Sequence, residues 1–204
     1  MPFDFSLRCK CGRVRGTASG IAPSSGFRFV CYCTDCQAFV RFLGRADVLD
    51  QAGGTDIFQM PPGRITLTTG VDALRCVRLS AATSVLRWYA DCCRTPIANT
   101  AGPRFPIVGI IHSFMDHTVG GRSRDEIFGP PLCRIHDGSA IRPLPPTAPA
   151  PPSFSVFARR SSKLFGWWLR GLAKPNPFFD ERGGAPISEP RVLTADERAA
   201  LCET

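Results

Sequence analysis

Cys31-Tyr32-Cys33-Thr34-Asp35-Cys36 places three thiols within six residues. A turn can bring three such side chains to one point, each about 2.3 Å from a tetrahedral zinc ion. Three protein ligands leave a fourth position open, which marks a catalytic zinc rather than a closed structural one. The alternative is a purely structural site whose fourth ligand comes from elsewhere in the chain. In the local fold a β segment ends at Cys31, and a helix is expected to start after Thr34.

Outward from this stretch, Cys9-Lys10-Cys11-Gly12 supplies two thiols, half of a second site. The complementary half needs two more ligands, and Cys92-Cys93 is the candidate. Neighbouring side chains diverge in a strand, so the expectation is that one of the two ligates while the other packs. Cys76 sits in a strand pattern and reads as core, and Cys133 and Cys202 read as incidental. His112 and His117 lie five apart and read as packed, hydrogen-bonded residues before ligands, and His136 reads as a loop residue.

Short segments rich in β-formers recur between Gly, Pro and Asp turns at 26–31, 63–69, 74–79, 85–89 and 107–112. Mainly antiparallel β with minor helix follows, with a second short helix at 123–128. The proline-rich run PLPPTAPAPPS at 143–153 breaks helix and central strand. It separates a zinc-binding β domain (1–142) from a C-terminal helical segment (154–204). Within 154–173, Phe157, Leu164, Phe165, Trp168 and Leu172 form an apolar stripe expected to pack on the domain. A membrane surface or a partner's groove is the other use for it. Asn176-Pro177-Phe178-Phe179 is the expected latch, and Thr194-Ala195-Asp196-Glu197 is a capping box.

The chain has 204 residues, ten cysteines and a formal net charge of +8. There is neither an N-terminal basic and apolar leader nor a run of about 20 apolar residues, so a cytoplasmic place is expected. In that reducing compartment, ten cysteines point to metal rather than disulfides. The basic residues are scattered and no recognition helix is evident, so nucleic acid is not favoured.

The ordered motifs Cys9-x-Cys11-Gly12, Cys31-x-Cys33-x-x-Cys36 and Ser84-Val85-Leu86-Arg87-Trp88-Tyr89 leading to Cys93-x-Thr95-Pro96 resemble those of the glutathione-dependent formaldehyde-activating enzyme and centromere protein V family, over roughly residues 5–120. The resemblance implies an Mss4-like or β-tent fold of small antiparallel sheets around one or two zinc ions. It implies a structural zinc on Cys9, Cys11 and the late cysteines. It also implies a catalytic zinc on Cys31, Cys33 and Cys36 that holds glutathione for a carbon–sulfur lyase reaction with a small carbonyl such as formaldehyde. The late motif departs from the family's C-x-x-C-G-T-P: position 90 is alanine, Cys92 adjoins Cys93, and Arg94 replaces glycine. Arg13, Arg28 and Arg41 are candidates for binding glutathione carboxylates. The rival expectation is a non-enzymatic zinc module that binds a protein or a membrane surface.

Overall fold

The computed structural model describes residues 2–116 and 122–202. His117 lies outside the described residues. In chain order the strands are β1 (Phe3–Arg8), β2 (Arg15–Ile21), β3 (Phe27–Cys31), β4 (Thr55–Met60), β5 (Ile65–Thr69), β6 (Leu74–Arg78), β7 (Leu86–Ala90), β8 (Thr95–Thr100), β9 (Val108–Ile111), β10 (Cys133–Ile135) and β11 (Arg191–Val192). The helices are α1 (Thr34–Phe42), α2 (Arg124–Phe128), α3 (Phe154–Leu169) and α4 (Ala195–Cys202).

Two sheets form: a three-stranded one ordered β1-β2-β5 and an eight-stranded one ordered β10-β3-β4-β9-β8-β7-β6-β11. The expectation of small antiparallel sheets therefore needs correction. The large sheet is mixed, because β10 and β11 join its two edges in parallel. Both are short pieces that return after long connections, which is what parallel pairing needs.

The main core lies between the sheets. Leu7, Val14, Ala18 and Ile65 from the small sheet and its turns meet Phe58, Trp88, Ala98 and Ile110 from the large one. The other face of the large sheet carries helices. Val77, Tyr89 and Ile111 meet Ala38, Phe39 and Val40 of α1. Strand alternation puts Phe27, Phe29 and Cys31 on this helix-bearing face. α2 starts with a complete capping box, the Ser123 hydroxyl accepting from the Glu126 N–H and the Glu126 carboxylate from the Ser123 N–H.

Beyond the proline-rich run, Phe178 and Phe179 are buried and stand 5.2 and 6.1 Å from the Trp88 ring. Burying two such rings is worth roughly 1.5–3 kcal/mol each, so this segment is a strong latch. The run itself is tied down, since Arg134 N–H donates to the Ala150 carbonyl at 3.0 Å. The α3 stripe packs only in part, with Leu164 and Leu172 half-buried. Trp167 is the buried residue of that helix, and Phe157, Phe165 and Trp168 face outward. The capping box at Thr194 and Glu197 starts α4. No helix among the described residues is long and apolar enough to cross a membrane.

Candidate metal centres

All ten cysteines are free thiols. Seven of them converge in two groups, Cys9, Cys11, Cys92 and Cys93 in one, and Cys31, Cys33 and Cys36 in the other. Within each group all sulfur atoms lie within 4.8 Å of one another, so each group can hold a metal ion.

Two tight turns build the first group. After β1 the chain reverses through Gly12, whose φ of 79° a side-chain-bearing residue rarely adopts. The reversal is locked by Cys9 N–H to the Val14 carbonyl at 3.0 Å, and by Val14 N–H to Cys9 Sγ at 3.3 Å. The opposing turn joins β7 to β8, with Arg94 left-handed at φ 55°. Cys92 and Cys93 therefore sit in a turn, not a strand, and their side chains do not diverge. The expectation that only one of them reaches the site fails for that reason. Sulfur separations are 3.6 Å for Cys9–Cys11, 3.9 Å for Cys9–Cys92, 3.4 Å for Cys11–Cys92 and 3.8 Å for Cys92–Cys93. Four sulfurs 2.3 Å from one tetrahedral zinc would stand about 3.8 Å apart, so the set fits. Lys10 N–H donates to Thr95 Oγ1 at 3.0 Å, and Cys93 Sγ lies 3.1 Å from the same oxygen. Burial works against the Cys93 thiolate, but hydrogen bonds from Thr95 and the Cys11 backbone outweigh it and bring the thiol to about 6. Burial drives Cys92 the other way.

The second group is local. Cys31 ends β3, and Cys33 is the N-cap of α1, its sulfur accepting from Cys36 N–H at 3.4 Å. Cys31 Sγ and Cys33 Sγ are 3.3 Å apart. The positive end of the helix dipole favours thiolate here. The Cys36 thiol is pushed well below its ordinary value, first by hydrogen bonds from Cys31 and Cys33, then by Arg87 against the effect of burial. Cys31 moves up for the reciprocal reason. Gln37, which is buried, fixes the loop by donating to the Tyr32 and Ser139 carbonyls, both at 2.8 Å. The Tyr32 hydroxyl donates to Asp50 at 3.0 Å.

Among the described residues no fourth Cys, His, Asp or Glu joins this trio. Instead it has an arginine. Arg87 Nη1 stands 3.7 Å from Cys36 Sγ, with only 8% of its side chain exposed. It also donates to Asn99 Oδ1 at 3.3 Å, lies over the Phe39 ring, and faces Asp35 at 3.7 Å. Asp35 in turn accepts from Arg198 of α4 at 2.7 Å. Thr55, paired with Cys31 across β3 and β4, carries a buried hydroxyl with no protein partner. Cross-strand partners share a sheet face, so an unused polar group lies on the trio's own side.

The other named residues go elsewhere. Arg13 pairs with Asp72 at 2.5 Å on the surface. Arg28, on the opposite face of β3 from Cys31, is held by Asp56, Asp125 and the Gly129 carbonyl. Arg41 donates to the Leu201 carbonyl. None of the three belongs to the trio's surroundings. Arg87 was missed, although a charge inside the apolar strand Leu86-Arg87-Trp88-Tyr89 was the available signal. Cys133 stays outside both thiol groups and packs in the apolar cluster that holds Cys31 and Cys36. Cys76 is core, with its thiol 3.3 Å from the Ser188 carbonyl. Cys202 is exposed, His112 lies 3.4 Å from the Asp56 carbonyl, and His136 is left-handed in a turn.

No curated protein matches the chain closely enough to count as a relative. A family described as a family of unknown function, DUF6151, matches residues 2–191, a span that takes in both cysteine groups, the proline-rich run and α3. The chain belongs to that family.

Proposed function

We propose that this is a two-zinc protein of the β-tent kind, placed in the cytoplasm. In this reading the four-thiol centre is structural and the three-thiol centre takes a small-molecule thiol, with glutathione the preferred candidate. The observation that carries it is the inequality of the two groups. Four sulfurs close one tetrahedron, whereas three leave the other with a free corner beside Arg87 and the unused Thr55 hydroxyl. The reaction proposed is that of a carbon–sulfur lyase. The thiol sulfur bonds to the carbon of a small carbonyl such as formaldehyde, and the thiol proton ends on the carbonyl oxygen; the reverse step releases the thiol.

Zinc, when bound, lowers the pKa of a thiol at its fourth position, so that thiolate is available near neutral pH. The chain's own groups do the rest. Cys31, Cys33 and Cys36 supply the corner of the site and its negative charge. Arg87 offsets that charge, since three thiolates, one divalent ion and one guanidinium sum to zero. An incoming thiolate would then add the first net charge. Thr55, on the same sheet face as Cys31, has an unused hydroxyl to offer it, and Asn99 and Asp35 hold Arg87 in position.

The test uses cobalt-substituted protein titrated with glutathione. Wild type should change its visible absorption on binding, and Cys33→Ser should not. A wild-type spectrum indifferent to glutathione sinks the reading. The rival reading, a non-enzymatic zinc module with a surface partner, is favoured by the outward aromatic face of α3.

A further inference from the structure

α3 lies on the molecule with its apolar side outward. Phe154 is 86% exposed, Phe157 61%, Phe165 60%, Trp168 61% and Leu169 64%. Phe154, Ala158, Ser161, Phe165 and Trp168 follow the alternating four-and-three spacing of one helix face. Phe165 and Trp168 stack at 6.1 Å. The opposite side holds the helix down: Trp167 is buried, Val156 packs with Phe27, Phe29 and Ile57, and Arg160 donates to Gln59 at 2.9 Å. A soluble helix normally does the reverse.

A second observation concerns charge. From residue 138 to 179 the chain has no Asp or Glu, although it holds 17 in all. The same stretch carries Arg142, Arg159, Arg160, Lys163, Arg170 and Lys174. On the body-facing side of α3, beside the buried Trp167, lies a recess of about 250 Å³, lined also by Arg64, Lys163, Arg170, Ser24, Ser25 and Ser162. Lys163 donates to the Ser24 carbonyl, and the Ser25 and Ser162 hydroxyls donate to the Ala22 and Arg159 carbonyls, so what the recess offers a phosphate is the charge of three cations without a carboxylate. Burial pushes the Lys163 ammonium down, and Arg159 and Arg64 add repulsion. An anion in the recess relieves both.

We propose that the outward face of α3 docks on a membrane surface of anionic phospholipid. Phe154, Phe157, Phe165, Trp168 and Leu169 enter the headgroup–acyl boundary, and the recess of Arg64, Lys163 and Arg170 receives a headgroup phosphate. Aromatic residues on one face and basic residues on the opposite one are the pattern of helices that lie in that plane. Pairing of two copies through this face would bring Arg159, Arg170 and Lys174 of each toward those of the other, which charge repulsion opposes. The inference stands apart from the proposed zinc chemistry.

The test is co-sedimentation of the full chain with vesicles of phosphatidylcholine alone, and with phosphatidylserine added. Binding should need the anionic lipid and weaken as salt rises. Lys163→Gln and Arg170→Gln should each cost about fivefold in affinity. Phe165→Ser with Trp168→Ser should cost on the order of tenfold or more, with an unchanged far-ultraviolet circular dichroism spectrum, because both side chains already face solvent. Brominated acyl chains should quench Trp168 fluorescence in the wild type, since Trp88 and Trp167 are buried. Equal binding to neutral vesicles, no binding, or no quenching overturns the proposal. So does a concentration-dependent dimer that Trp168→Ser abolishes, which would make the face a self-association surface. Displacement from vesicles by soluble glycerophosphoserine would make the recess a free-phosphate site and also overturn it.

Discussion

The two cysteine groups use the same atom for opposite ends. Cys9 and Cys92 are 83 residues apart in sequence, and their group ties the β1–β2 turn to the β7–β8 turn across the core. Cys31, Cys33 and Cys36 span six residues and tie only a strand end to the helix that follows. A metal that closes a long loop takes more conformational freedom from the unfolded chain than one that closes a short loop. On the proposed reading the long-range group therefore serves the fold, and the local group, which adds little to it, is left to spend its coordination on a ligand. Exposure runs counter to intuition. Cys11 and Cys92 of the four-thiol group face solvent, while Cys31 and Cys36 are buried beside an arginine. A closed set of four needs no further shielding, whereas a set of three needs a dry and charged surround to make its remaining position useful.

The largest effect should come from breaking the long-range group. Cys9→Ser should reduce bound zinc from two ions to one and lower the melting temperature by on the order of 10 °C or more. Cys33→Ser should also lose one ion, yet shift the melt by only a few degrees. Equal melts would erase the distinction between the groups. Next in size is Arg87→Gln. It should weaken metal at the trio by roughly 10–100-fold in chelator competition while sparing the four-thiol centre. A loss at both centres would mean that Arg87 supports the sheet rather than the site.

Smaller still is an alkaline effect at Tyr32. Burial, and then Asp50, pushes its phenol up to about 12, against about 10 when unfolded. The folded value is the higher, so this stability is fully present below about pH 10 and is lost as pH rises toward 12. In denaturant titrations of metal-loaded protein, Tyr32→Phe should lack this component, of order 1–2 kcal/mol. An unchanged alkaline profile would place the Tyr32–Asp50 bond outside the support of the trio. Asp35→Asn should do least, costing under about 1 kcal/mol because Arg198 is partly exposed. Faster amide exchange in α4 with trio affinity nearly unchanged is the expected pattern. A loss of affinity as large as that of Arg87→Gln would make Asp35 the principal support of that arginine.

Local spacing made most of the thiol chemistry readable. The trio, the Cys9–Cys11 pair, the strand before Cys31 and the helix after Thr34 all follow from neighbours in sequence. The Cys92–Cys93 geometry was not readable, because it depends on a left-handed residue at Arg94, where glycine is the usual signal. Arg87 was hidden differently. Its role is set by Asn99 on the next strand and by Cys36 on a helix, and neither is close to it in sequence. The α3 stripe was visible as a stripe, but periodicity gives a helix two faces without saying which one meets the body. Contacts made by Val156, Arg160 and Trp167 decided that. β1, β2, β4 and β8 were not legible because their patterns carry glycine, charge or proline that only pairing explains, and β10 and β11 because they are only three and two residues long.

The bond between Arg198 and Asp35 spans 163 residues. During synthesis the thiol trio leaves the ribosome first, and the outermost brace of its arginine follows only 163 residues later. Until then the trio must exist without that brace. The site is therefore assembled in two instalments, with a window in which its thiols are present but not yet tuned. The order in which metal and the α4 segment arrive becomes a question about biosynthesis as much as about structure.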